Sequence, residues 1–133
     1  MTLTGAAVAL LPVTEAWHYI GTGGEPAFGT GWENAGVMSL VAYRRATAQE
    51  VRLYGAALNN GASDPAVTVL PDGYRPTAGT YGIVPVSVLD SMGTYRGGLA
   101  VVADDGTLSV PGTTTGDTVF LNGMFPLEPP TAS

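Results

Sequence analysis

Apolar and polar positions alternate along this chain in short runs, each broken by glycine, proline or an acidic turn. "AWHYI" (16–20) predicts a short strand that sets His18 opposite Trp17 and Tyr19. "VMSLVAYRRA" (37–46) places Met38, Leu40 and Ala42 on one face and Val37, Ser39, Val41 and Tyr43 on the other. A run apolar on both faces predicts a strand covered on both sides. "PAVTVL" (65–70), "TYGIVPVSVLD" (80–90), "YRGGLAVVA" (95–103) and "TLSVPG" (107–112) continue the pattern, and "DTVFLNGMFPL" (117–127) closes it. Pro85 has no N–H to donate, so it marks an edge position or a bulge. "DDG" (104–106) predicts a hairpin turn, where Asp tolerates left-handed backbone and Gly supplies it.

One stretch reads two ways. In "TAQEVRLYGAALNNG" (47–61), Thr47 and Glu50 have capping-box spacing, and Val51, Tyr54 and Leu58 have helical spacing. The same residues alternate as a strand, and Gly55 weakens a helix. The strand is preferred. Roughly eight short strands with turn signals every 8–12 residues or so predict one all-β domain, a sandwich or barrel. It spans residues 16–127, between an N-terminal arm or linker (1–15) and a tail (128–133).

Composition supports that class. Nineteen glycines and ten prolines in a chain that is 45% hydrophobic mean many turns between short elements. Charged residues make up only 12%, about half the usual share, which is not the composition of a disordered chain. There is no cysteine, hence no disulfide framework and no thiolate ligand or nucleophile. The five basic residues are all arginine, and eleven acids bring the net charge to −6. Nucleic acid and anionic membrane are therefore not expected partners. "GAAVALLPV" (5–13) is apolar without a basic lead-in and too short to span a bilayer. It reads as an apolar arm, a feature more comfortable against another chain than in water.

Candidate chemistry is thin. His18 is the only histidine, so any Ser-His-Asp triad would need it; outside a motif it reads as a surface or interface residue. "GTGGEPAFGTG" (21–31) looks like a phosphate cradle, but the chain has no lysine and Pro26 interrupts the strand–turn–helix such a loop requires. Asp104 and Asp105 lack EF-hand spacing and read as a turn rather than a cation site. Trp17, Phe28 and Trp32 are candidates for a sugar platform, against the commoner role of aromatic side chains as core. No catalytic residue, metal or cofactor is assigned, and the chain does not read as an enzyme.

A resemblance sharpens the expectation. The chain has a tryptophan-led strand at Trp17, a loop with Pro26–Phe28 ending in Gly31–Asn34, and a "V-x-L-x-G" strand at Val51–Gly55. It continues with "LPDGYRP" at Leu70–Pro76, a "DG-x-L" hairpin at Asp105–Leu108, and "G-x-F-P-L" at Gly123–Leu127. In this order the motifs resemble the small β-sandwich domains at the ends of tailed-phage fibres and among minor tail proteins, especially of actinobacteriophages. The resemblance implies a non-enzymatic virion protein, jelly-roll-like in fold and homotrimeric. Residues 1–15 stand where that family usually carries a long stalk, so the arm is expected to dock on another virion protein. Tail association with host attachment is the first expectation; a capsid or tail-tube decoration protein is the second.

The residues expected to matter follow from both readings. The polar, glycine-rich loops 59–64, 91–97 and 112–117 are candidate contacts to a host cell-wall glycan, with Asn59, Asn60, Tyr95, Arg96 and Thr114 as the contacting residues. Trp17, Trp32, Tyr74, Arg75 and Pro76 are expected at a structural corner or subunit contact. In "LPDGYRP", Asp72-Gly73 turns the chain and the prolines stiffen it. Arg75 there offers a planar five-donor fork to backbone carbonyls or a carboxylate.

Overall fold

A computed structural model describes residues 15–127; all of the arm but Glu15 (1–14) and the tail (128–133) lie outside the described residues. The described chain is all-β, eleven strands without a helix. They are β1 (His18–Tyr19), β2 (Trp32–Asn34), β3 (Ala42–Thr47), β4 (Glu50–Tyr54), β5 (Ala56–Asn59) and β6 (Ala66–Val69). The rest are β7 (Gly82–Leu89), β8 (Tyr95–Val102), β9 (Thr107–Ser109), β10 (Thr118–Phe120) and β11 (Gly123–Pro126). Two antiparallel sheets pack face to face, in the orders β1-β3-β4-β11 and β2-β5-β10-β7-β8-β9-β6. This is the expected antiparallel sandwich. The larger sheet nearly closes on itself: Phe28 bridges Thr68 of β6 at one edge, and four residues later Trp32 opens β2 at the other.

Period-two patterning explains the layers. In β7, Val84, Val86 and Val88 point inward while Ile83, Pro85 and Ser87 face out, the alternation of a half-buried strand. Gly82 begins the same inward row because Phe125 of β11 lies against it; a Cβ there would meet that ring at 2.6 Å. Tyr43 and Phe125 are the largest fully buried side chains, packed among Leu70, Leu108, Leu121 and the valines. Pro85 pairs with Leu99 on one side, and on the other the β10 ladder begins only at Ser87, so the proline sits where no partner needs its N–H.

The segment 47–58 is strand, as preferred, but it is two strands. Gly55, at φ +104°, turns the chain out of the small sheet at the end of β4 and into the large sheet as β5. The run 117–127 likewise divides at Leu121 and Asn122 into β10 and β11, one in each sheet. These two crossings are tied together: Asn122 Oδ1 accepts from Gly55 N–H at 3.1 Å and Gly55 O accepts from Leu121 N–H at 2.8 Å. The strand expected over 37–46 is shorter than its pattern, starting at Ala42. Val37 and Met38 lie in a turn, 86% and 88% exposed. Asn34 Oδ1 takes the Val41 N–H and Ser39 O takes the Ala56 N–H, so the backbone there serves the loop instead of a ladder.

Candidate functional site

The three loops singled out by composition meet in space. β5 ends at Asn59, β7 ends at Leu89, and β10 begins at Thr118, all at one end of the large sheet. Backbone bonds stitch the loops: Asn59 N–H donates to Asp117 O at 2.9 Å and Gly116 N–H to Asn59 O at 2.7 Å. Asp117 is the organising side chain, only 2% exposed. Its Oδ2 accepts from Arg96 Nη2 at 2.7 Å and from Thr114 N–H at 2.9 Å. Burial pushes the Asp117 carboxyl up, but the Arg96 guanidinium and the Thr114 amide outweigh it and hold its pKa below the usual range.

The loop residues divide by exposure. Asn59 is 2% exposed, with its amide donating to Thr113 Oγ1 at 3.0 Å and its Oδ1 accepting from Ala62 N–H at 2.9 Å. It braces the loop from inside, which corrects its assignment as a contacting residue. Trp32 is also removed from any surface: its ring is in the core and its Nε1 donates to Asp64 O at 3.0 Å. Asn60, Tyr95 and Thr114 are exposed, Tyr95 by 65% with its ring 6.3 Å from Phe120. Arg96 is exposed along its length while its head is held by Asp117 and Gly112 O. Beside these lies a hollow of about 160 Å³ lined by Asn59, Ser63, Asp64, Pro111 and Thr113 among others.

The opposite end carries the corner and the root of the arm. "LPDGYRP" turns as expected: Arg75 Nε donates to Leu70 O at 2.8 Å, Arg75 Nη1 lies 3.0 Å from Asp72 Oδ1, and Pro76 is buried. Asp104-Asp105-Gly106 is the β8–β9 turn, with Gly106 at φ +92° and its N–H donating to Ala103 O. Tyr74 joins an aromatic–acid cluster that sequence reading did not assemble. His18 stacks on Tyr43 at 5.0 Å, and Tyr43 meets Tyr74 edge-on at 4.9 Å. His18 Nδ1 is 2.7 Å from Glu25 Oε2, its Nε2 is 3.2 Å from the Tyr74 hydroxyl, and Glu15 Oε1 is 3.6 Å away. The Tyr43 hydroxyl donates to Glu25 at 2.6 Å, and the Tyr74 hydroxyl donates to Glu15.

Titration of the cluster follows its geometry. Burial pulls His18 down, but the Glu25 carboxylate beside it, with Glu15 behind, prevails and its pKa is raised. Burial and the Glu15 carboxylate push the Tyr74 hydroxyl up to about 12. Glu15 also takes the Arg45 N–H at 2.6 Å, so the cluster clamps the start of the described chain to β3 and the corner.

The three aromatics considered as a platform do not converge. Trp32 is core, Phe28 lies along the edge of β6 opposite Thr68, and Trp17 lies on the outer face of the small sheet, 5.9 Å from Tyr54 and 4.5 Å beneath the Arg44 guanidinium. Among the described residues no group of three His, Asp or Glu side chains gathers as a metal site. No helix among them is long and apolar enough to cross a membrane. Comparison of the chain with family models, curated proteins and solved structures found no match.

Proposed function

We propose that this chain is a non-enzymatic structural protein of a phage virion, associated with the tail as a homotrimer, whose converged loops touch the host surface. The observation that carries the reading is the polarity of the domain. Loops 59–64, 91–97 and 112–117 share one end, whereas Glu15 (beside Arg45 and Tyr74) and Leu127 (bonded to Gln49 and Thr77) share the other. β4 and β5 run from one end to the other, a span of roughly 30 Å at most for ten residues. An end that holds the particle and an end that meets the cell is the division an attachment domain requires.

The chemistry of the loop end supports a glycan ligand. Asn60, Thr114 and Tyr95 supply exposed amide, hydroxyl and aromatic groups at this end, and Ser63 and Thr113 line its hollow, the mixture that pairs with sugar hydroxyls and ring faces. Single contacts of this kind are weak, and several copies engaging one cell wall multiply them. Gold-labelled antibody viewed on particles by electron microscopy tests the placement. Label at the distal tail is expected, while label spread over the head would make this a decoration subunit instead. Replacing both Tyr95 and Arg96 with alanine is expected to reduce host-cell binding; undiminished binding would remove that loop from the contact.

A further inference from the structure

The outer face of the small sheet carries a groove of about 330 Å³, lined by Trp17, Tyr19, Met38, Leu40 and Tyr54 with Val37 at its mouth. Every one of these side chains is apolar or aromatic. Val37 and Met38 are almost fully exposed, and Tyr19 and Tyr54 are 41% and 48% exposed. A contiguous apolar surface of this kind is the mark of a docking site. It lies away from the loop end, so the host-contact reading does not use it.

The chain itself contains a segment of matching character. "GAAVALLPV" (5–13) has no charge and carries Val8, Leu10, Leu11 and Val13. It joins the domain at Glu15, whose carboxylate holds Arg45 N–H and the Tyr74 hydroxyl and whose carbonyl accepts from Arg44 Nη1. The direction of entry decides which groove it can fill. His18 pairs with Tyr43 and Tyr19 with Ala42, so the chain from Tyr19 back to Glu15 runs along β3 toward Arg45. The groove starts at Trp17 and extends the other way, past Tyr19 and Ala42 to Leu40 and Met38. To reach its own groove, the segment would have to reverse fully beside a residue already fixed by three bonds. A neighbouring copy needs no reversal, and nine extended residues reach about 30 Å.

We propose that residues 5–13 of each copy seat in the Trp17–Met38–Tyr54 groove of the next copy, an arm exchange that holds the assembly together. Each copy donates one arm and accepts one, and in the proposed trimer the contact is head-to-tail and closes into a ring because three equal rotations return to the first copy. The inference deepens the homotrimer of the proposed function and rests on it only for the number of copies. It concerns purified protein, so its failure is distinct from that of the tail placement, which is read on particles.

The absence of cysteine from the chain makes cross-linking unambiguous. Full-length Val8→Cys protein is mixed with isotope-labelled Met38→Cys protein, exchanged, oxidised and mapped by mass spectrometry. The expected product is a disulfide joining position 8 of unlabelled chains to position 38 of labelled ones, together with loss of assembled mass in solution for Leu10→Asp. A Val8→Cys/Met38→Cys double variant that closes its disulfide within one chain would overturn the proposal in favour of the chain's own groove. Only 8–8 and 38–38 links, or a wild-type protein that stays monomeric at tens of micromolar, would overturn it outright.

Discussion

Replacing Asp117 with alanine removes the side chain that joins two of the three loops and leaves the backbone stitching in place. Two bonds disappear, from Arg96 Nη2 at 2.7 Å and from Thr114 N–H at 2.9 Å. Bonds to a charged group contribute about 1.5–3 kcal/mol each when well buried. Here the acceptor is buried, but Arg96 is 43% exposed along its side chain, so its share is reduced by solvent. A total of about 2–3 kcal/mol at neutral pH follows. For a domain of this size that is a fall in Tm of roughly 6–12 °C. The pH dependence gives the sharper test. The folded-state pKa of Asp117 is depressed, so its charge-linked stability is present above the unfolded pKa, near 3.9, and is lost as pH falls through the folded value. Urea melts of the wild type and the variant are expected to differ most at pH 6–7 and to converge toward pH 3. Asp117→Asn, which keeps an acceptor for Thr114 but no charge, falls between them. A cost under about 0.5 kcal/mol, or a difference that does not change between pH 7 and pH 3, would refute the claim that this carboxylate holds the loop end.

Three further outcomes are expected. Gly55→Ala places a Cβ 2.2 Å from Leu40 O at φ +104°, so it costs about 3 kcal/mol or more; a melt within about 1 kcal/mol of wild type would mean the crossing is not so constrained. His18→Gln is expected to cost about 1 kcal/mol below pH 6.5 or so, where the raised histidine is charged in both states, and progressively less as pH rises through its folded pKa; a cost that grows with pH in denaturant melts would contradict the Glu25–His18–Glu15 arrangement. Arg75→Ala loses the bond to Leu70 O and an ion pair to a fully exposed Asp72, so about 1 kcal/mol is expected, nearly all from the carbonyl bond; Asp72→Ala should then be almost silent in the same melts.

Much of the fold is legible in local pattern. β7 reads directly, since Val84, Val86 and Val88 alternate with outward residues, and the β8–β9 turn is legible in Asp-Asp-Gly. The loops are legible as loops because their glycines and polar residues cannot bury apolar surface. Val37 and Met38 mislead for the converse reason: they continue an apolar alternation, yet the residues just after them are engaged outside a ladder, Ser39 O by Ala56 and Val41 N–H by Asn34, and Val37 and Met38 stay in water. Asn59 looks like a loop-tip contact and is an internal brace, because burial depends on what Asp117, Gly116 and Thr113 bring to it from more than fifty residues away.

The amino-acid sequence by itself determined that this is an all-β domain with glycine-rich loops, little charge and an apolar arm, because period-two patterning, turn residues and composition act over a few residues at a time. The tertiary structure alone decided that Gly55 and Asn122 are where the chain changes sheets, that three loops share one end, and that His18 sits between two carboxylates and two tyrosines. Those facts depend on strand order and register, which are settled by how side chains far apart in the chain fill one core. A local pattern therefore specifies the strands, and only their joint packing specifies which residues meet.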